Sequence, residues 1–167
     1  EEGLKLLRMV AERPVRRVAE KTPHNFVALG YLHLCFPNAR FIHCYRNPMD
    51  SFVSSYQNNL NRGHSYAFSQ ETYCEEYLWH VELMKLWKSL FPEKIMTLHY
   101  EQLASDPETW ARKIMEFIGL PWHDDCLRFF EKAGTIRTIS NQQVRKPVYS
   151  SSIERWRRYE THLQPLA

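Results

Sequence analysis

At 167 residues, 44% hydrophobic and 25% charged, the chain has the composition of one globular domain large enough for a core, which excludes disorder as its basis. A net charge of +3, with the basic residues gathered in 13–21 and 145–158, argues against a long polyanion such as nucleic acid and for a local anionic ligand. No apolar run approaches a membrane span and no charged-then-apolar leader is visible; because the chain opens on Glu1, directly in a helical pattern, it is expected to be a piece of a longer protein.

The elements follow in chain order. Residues 1–13 read as a helix and residues 15–19 as a short strand. Thr22-Pro23 then begins a helix running through Phe26, Leu29, Leu32 and Phe36, until Pro37 stops the pattern. Residues 40–45 alternate as a buried strand and residues 47–60 form the next helix. After a polar loop, residues 70–91 carry Tyr73, Tyr77, Val81, Met84, Trp87 and Phe91 at helical spacing, a stripe that belongs to the core. Residues 94–99 are the third strand, 107–118 and 124–132 two more helices, and 134–149, without a sustained period, a long functional loop. No repeat or flexible linker divides the chain. Strands separated by helical crossovers predict an α/β fold with a parallel sheet, whose ligands gather at the strands' carboxyl ends; Lys21, Arg46 and Tyr100 fall at such ends.

Two junctions carry the chemistry. In the stretch Phe41 to Ser54, Asn47 is placed as a helix N-cap, Pro48 as the first helical residue and Asp50 as the carboxylate of a capping box. Arg46 then sits beside a helix N-terminus, and the unpaired N–H groups, the dipole and the guanidinium fork together suit a phosphate. Ser54 lies about two turns on, on roughly the face of the cap. Ordinary N-capping beside a surface arginine accounts for this junction equally well when it is taken alone. Glu20-Lys21-Thr22-Pro23 is built the same way, so two anion sites are expected side by side, Lys21 and Arg46 addressing different phosphates of one ligand. A third stretch, Ser140 to Tyr149 and on to Arg155, combines amides, cations and Pro147, and suits wrapping a polar ligand as well as it suits a solvated basic loop. Cys35, Cys44, Cys74 and Cys126 show no C-x-x-C spacing and are expected to be buried free thiols; His33, His43 and His80 read as packed residues and not ligands.

In order, Lys21-Thr22-Pro23, Phe36-Pro37-Asn38-Ala39-Arg40-Phe41-Ile42, Arg46-x-Pro48-x-Asp50-x-x-x-Ser54, His99-Tyr100-Glu101-x-Leu103-x-x-Asp106-Pro107, Phe117-Ile118-Gly119-Leu120-Pro121-Trp122 and Ser140-x-x-Gln143-Val144-Arg145-Lys146-Pro147 closely resemble the sulfotransferase family over nearly the whole chain. Within it the chain looks most like the bacterial sulfotransferases often fused to tetratricopeptide repeats and like the protein-tyrosine sulfotransferases. The resemblance implies a P-loop-type parallel sheet flanked by helices, residues 1–167 forming the carboxyl-terminal portion of a single domain. It implies a donor, 3′-phosphoadenosine 5′-phosphosulfate, whose sulfuryl group passes to a hydroxyl acceptor. Arg46 and Ser54 match the family's 3′-phosphate pair, and Lys21 the lysine on the 5′-phosphosulfate that meets charge on the leaving oxygen. Ser140 matches a serine beside the transfer site. Tyr100 matches a donor-contacting tyrosine, the run holding Gln143, Val144, Arg145, Lys146 and Pro147 the loop that closes over the nucleotide, and Arg155 a basic donor contact of the tyrosylprotein enzymes.

The match departs from the family in four places. The first strand, the glycine-rich phosphate loop and the catalytic carboxylate are missing: five glycines occur, none in a phosphate-loop arrangement. Asn58 stands where tyrosylprotein sulfotransferases carry an arginine. The piece is therefore expected to be inactive alone. No metal is expected, since the donor's charge is met by cations. A P-loop nucleotide or small-molecule kinase and an inactive binding module of the same fold stay as alternatives; protein tyrosine, carbohydrate and small molecules all stay open as acceptors. The cytoplasm is the expected location, or the Golgi lumen for a tyrosylprotein-type enzyme.

Overall fold

The computed structural model describes residues 17–58, 64–131, 148 and 150–163. Helix α1 (Leu29–Cys35) leads into strand β1 (Phe41–Tyr45); α2 (Pro48–Gln57) and α3 (Gln70–Leu90) follow before strand β2 (Ile95–His99), and α4 (Tyr100–Ser105) and α5 (Pro107–Phe117) come after it. β1 and β2 pair in parallel, in a register that runs from Phe41 against Ile95 to Tyr45 against His99. Two parallel neighbours need a crossover, and α2 and α3 supply it. The class is therefore α/β, helix-rich around a two-stranded parallel sheet among the described residues.

Local chemistry sets the helix limits. Asn47 accepts from the Met49 and Asp50 amides at 3.0 and 3.2 Å, and Pro48 takes the first helical position, so α2 starts where the cap demands. It stops at Gln57, because the Asn58 side chain and amide both turn back to the Ser54 carbonyl. Ser69 opens α3 by accepting from the Thr72 amide, and Asp106 opens α5 by accepting from Thr109. α5 ends on Gly119 at φ +67, where the Leu120 amide reaches the Met115 carbonyl and the Gly119 amide that of Glu116, the paired closure that a left-handed glycine permits.

The interior of the described residues falls into two clusters. Leu29, Met84 and Ile95 join α1, α3 and β2, with Phe26, Phe41, Trp87 and Phe91 packed around them. The indole of Trp87 lies against Gly30, where an added Cβ would come within 2.9 Å of the ring, and its N–H donates to the Phe26 carbonyl. Phe52, Val53, Tyr73 and Leu163 form the second cluster, with Met49, Tyr66, Tyr77 and Trp156 against them, so the segment at 150–163 is tied to α2 and α3 by burial of its own apolar side chains. The 70–91 stripe is core as expected, with Tyr73 and Met84 its most buried members.

Several expectations change. The helix expected at 1–13 and most of the 134–149 loop lie outside the described residues, as do positions 15–16 and 59–60. Residues 17–19 form no strand: Val18 is 47% exposed and, among the described residues, no strand pairs with that backbone. The helix expected from Thr22 is α1 alone, preceded by a series of i to i+3 turns over 22–28, because the Thr22 hydroxyl donates to Glu20 and does not accept from the amides ahead of it. The helix expected over 124–132 is two short 3₁₀ turns, Asp124–Cys126 and Phe129–Glu131, the first opened by the His123 ring accepting from the Asp125 amide. The cysteines are free but not buried. Cys35 and Cys44 are exposed, Cys44 on the face of β1 that also leaves Ile42 open.

Candidate functional site

The carboxyl ends of β1 and β2 stand side by side, and the residue after each strand turns toward the same place. Arg46 follows β1 and Tyr100 follows β2. The Arg46 guanidinium lies 4.9 Å over the Tyr100 ring, a cation–π contact that fixes the plane of the fork. One terminal nitrogen donates at 2.8 Å to the Ser152 carbonyl, in the segment ahead of the last 3₁₀ helix, Arg155–His162. Arg46 Nε is buried and has no hydrogen-bond partner among the described residues. A buried guanidinium N–H left unpaired is costly, and an anion seated on the fork removes that cost.

The helix N-terminus beside Arg46 is built by two side chains. Asn47 caps α2 from within. Glu101, on α4, closes the cap from outside by accepting the Asn47 amide at 2.8 Å. This is the carboxylate function that the sequence reading gave to Asp50. Asp50 does something else: only 2% exposed, it accepts the Glu154 amide at 2.8 Å and the Trp156 amide at 2.9 Å, and so holds the 150–163 segment down on α2. A hollow of about 450 Å³ opens here between Tyr45, Asn47, Asp50, Glu101 and the Ile153-Glu154 backbone. Glu101 and the strap were legible only in part. The position after a strand singles out Tyr100 but not Glu101, and nothing in the local pattern around Asp50 points to a partner a hundred residues away.

Ser54 is half-buried on α2, two turns past the cap, as expected, and its carbonyl takes the Asn58 side chain. Lys21 is displaced from its expected place. It belongs to no strand end; it lies exposed on the wall of a separate cleft of about 990 Å³, whose other walls include Leu29, Phe36, Arg40, Ile42 and His43. Arg155 is exposed at the start of the last 3₁₀ helix. Ser140, Gln143, Val144, Arg145, Lys146 and Pro147 lie outside the described residues.

Between the two cavities, β1 and α3 share a seam of polar rings. His43 Nε2 meets His80 Nε2 at 2.9 Å, and the Tyr45 and Tyr77 hydroxyls bond to each other. The histidines are packed residues, as expected. Burial first, then the charges of His80, Lys88 and His99, pushes His43 down to about 4, and burial followed by Lys88 lowers His80. Burial pushes Tyr73 up to about 12, against the opposing pull of its Ser51 hydrogen bond and of the Arg46 charge. The two histidine rings of the seam are therefore uncharged at neutral pH. Among the described residues no group of three histidine, cysteine or acidic side chains could hold a metal ion, and no helix is long and apolar enough to cross a membrane.

Comparison with known proteins gives this geometry a family. An uncharacterized protein of Aquifex aeolicus is 39% identical over 165 residues, which cover 97% of this chain and 21% of that relative. Protein-tyrosine sulfotransferase 1 of Danio rerio is 29% identical over 164 residues, covering 86% of this chain and 42% of the relative, and a flavonol sulfotransferase-like protein of Flaveria bidentis is 29% identical over 151 residues, covering 78% and 48%. The chain thus spans less than half the length of each. A sequence model described as the sulfotransferase family matches residues 5–124, a stretch that contains β1 and β2, Arg46 with its capped helix, and Tyr100 with Glu101, and the chain belongs to that family.

Proposed function

We propose that the chain is the carboxyl-terminal portion of one sulfotransferase domain, residues 1–167 on a P-loop-type sheet. On this reading the enzyme moves a sulfuryl group from 3′-phosphoadenosine 5′-phosphosulfate to a hydroxyl acceptor. The observation that carries the reading is the Arg46 fork, stacked on Tyr100 with a buried Nε left unpaired beside the capped N-terminus of α2. It suits the 3′-phosphate that distinguishes this donor from ordinary adenine nucleotides, with Ser54 on the same helix as its second contact. Lys21 is assigned to the 5′-phosphosulfate, Ser140 to the transfer site, Gln143, Val144, Arg145, Lys146 and Pro147 to the loop over the nucleotide, and Arg155 to a further donor contact.

The chemistry breaks the bond between sulfur and the bridging phosphate oxygen and forms one from sulfur to the acceptor oxygen. The acceptor's proton passes to a base that this reading places in the amino-terminal part of the domain, outside residues 1–167. Such in-line transfers spread charge over equatorial oxygens, so positioning and fixed positive charge do most of the work; phosphoryl transfer is the nearest analogue. Arg46 anchors the donor at a distance from the reacting sulfur. Lys21 neutralises the leaving oxygen. A tyrosine hydroxyl is the first acceptor to try, because two of the relatives are named protein-tyrosine sulfotransferases, from Danio rerio and Drosophila melanogaster, and the cytoplasm is the proposed location.

The test is calorimetric binding of adenosine 3′,5′-bisphosphate against adenosine 5′-monophosphate to the full-length gene product and its Arg46→Ala variant. A preference for the bisphosphate of about a hundredfold, lost in Arg46→Ala, is expected for a charged hydrogen-bonded contact of this kind. Equal binding of the two nucleotides by the parent would overturn the reading.

A further inference from the structure

Asp50 is the most buried polar residue described, yet among the described residues it neither caps its own helix nor forms an ion pair. Its two oxygens go to two backbone amides of a distant segment, Glu154 to Oδ2 and Trp156 to Oδ1. Between those amides the chain makes a sharp turn in which Glu154 sits at φ +57, the left-handed region that a side chain with a Cβ adopts only at a cost. Turns of this kind aim successive N–H groups at one point, a concavity suited to an anion. Here the anion is supplied by the chain. Two residues before the turn, the Ser152 carbonyl accepts from the Arg46 guanidinium, which also lies over the Tyr100 ring. Asp50 and Arg46 therefore grip the same short strap, four residues apart on one side of the contact and within five residues on the other.

We propose that Asp50 is a positioning residue for the Arg46 anion site. By holding the Ser152 to Trp156 strap in its left-handed turn, it keeps the Ser152 carbonyl in place and so fixes the orientation of the guanidinium. The proposal rests on the reading of Arg46 as the 3′-phosphate contact. Without the carboxylate the turn relaxes, the carbonyl leaves Arg46, and the fork swings on its side-chain torsions, which weakens a bidentate contact more than it weakens a diffuse one. The loss then falls on the 3′-phosphate and not on the adenosine 5′-phosphate portion of the ligand.

The experiment uses the full-length gene product, its Asp50→Asn variant, and amide hydrogen exchange alongside calorimetry with adenosine 3′,5′-bisphosphate and adenosine 5′-monophosphate. Asp50→Asn keeps the shape of the side chain and removes one of its two acceptors. The expected result is exchange at Glu154 and Trp156 at least tenfold faster and a preference for the bisphosphate at least tenfold smaller, with monophosphate affinity within twofold of the parent. Faster exchange with the full preference retained would reduce Asp50 to a structural tie and overturn the proposal, as would unchanged exchange. A parent protein with no preference would sink the functional reading instead, and the two failures are read in different proteins. A second pair works from the strap side, with α2 untouched in case Asp50→Asn does not fold. Glu154→Val, whose branched side chain resists φ +57, should lower the preference more than Glu154→Gly, which accepts it; the reverse order, or equal effects, counts against the proposal.

Discussion

The two cap-and-proline junctions, Glu20-Lys21-Thr22-Pro23 and Tyr45-Arg46-Asn47-Pro48, are alike on paper and unlike in space. At the second, Asn47 turns its oxygen to two amides and Glu101 closes the remaining one, so a helix starts at once and Arg46 stands beside a formed N-terminus. At the first, Glu20 draws both the Thr22 hydroxyl and the Asn25 side-chain Nδ2 to itself, which leaves the backbone amides ahead without a side-chain acceptor. The chain then advances by short turns until Ala28, and α1 begins uncapped. A cap residue is therefore only a candidate. Which acceptor reaches the free amides, and which carboxylate competes for the hydroxyl, decides whether a helix N-terminus exists there at all.

The largest break in the comparison comes from Asp50, which the first junction has no counterpart for. Asp50→Ala takes the acceptor from two half-buried amides and releases the strap from the second core cluster, and is expected to lower unfolding free energy by about 2–4 kcal/mol, measured by urea titration of the full-length product.

The seam that separates the junctions gives the next effect. His43 lines the cleft on the Lys21 side, and its ring is held down to about 4 against an ordinary 6.5. As the pH falls below 6.5 the unfolded chain takes up a proton that the folded chain refuses until about 4, so stability drops through that window, is level above it, and levels again below it. Discounted for the part of the ring still open to water, the drop is about 1–2 kcal/mol. His43→Leu should flatten the slope of stability between pH 6.5 and 4; a slope identical to the parent's would show that the ring is not held neutral by its surroundings.

How much of this was readable in advance follows from range. The sheet strands, α2, α3 and α5 were legible because periodicity and caps act within one turn or one pleat, and Arg46 and Tyr100 were legible because a strand end followed by a cap is a local pattern. What the sequence hid was contact between distant residues. Asp50 suits a capping box by spacing alone, and only the approach of Glu154 and Trp156, a hundred residues on, takes its carboxylate elsewhere. The strand expected at 15–19, ahead of Lys21, is the reverse case: a strand is defined by a paired neighbour, and for residues 17–19 none is there among the described residues.

The smallest effects sharpen the comparison most directly, because the same substitution can be made at both junctions. Asn47→Ala removes the acceptor for the Met49 and Asp50 amides and is expected to cost about 1 kcal/mol, the usual worth of a satisfied N-cap, since Glu101 covers only the Asn47 amide itself. Thr22→Ala removes a hydroxyl that caps nothing. Its exposed bond to Glu20 should change stability by no more than about 0.5 kcal/mol in either direction. Parallel urea titrations of the two variants measure the difference between a cap that forms a helix N-terminus and one that only looks like it. Equal losses would mean that Thr22 caps the chain ahead of α1 after all, and that Lys21 stands beside a helix N-terminus equivalent to the one at Arg46.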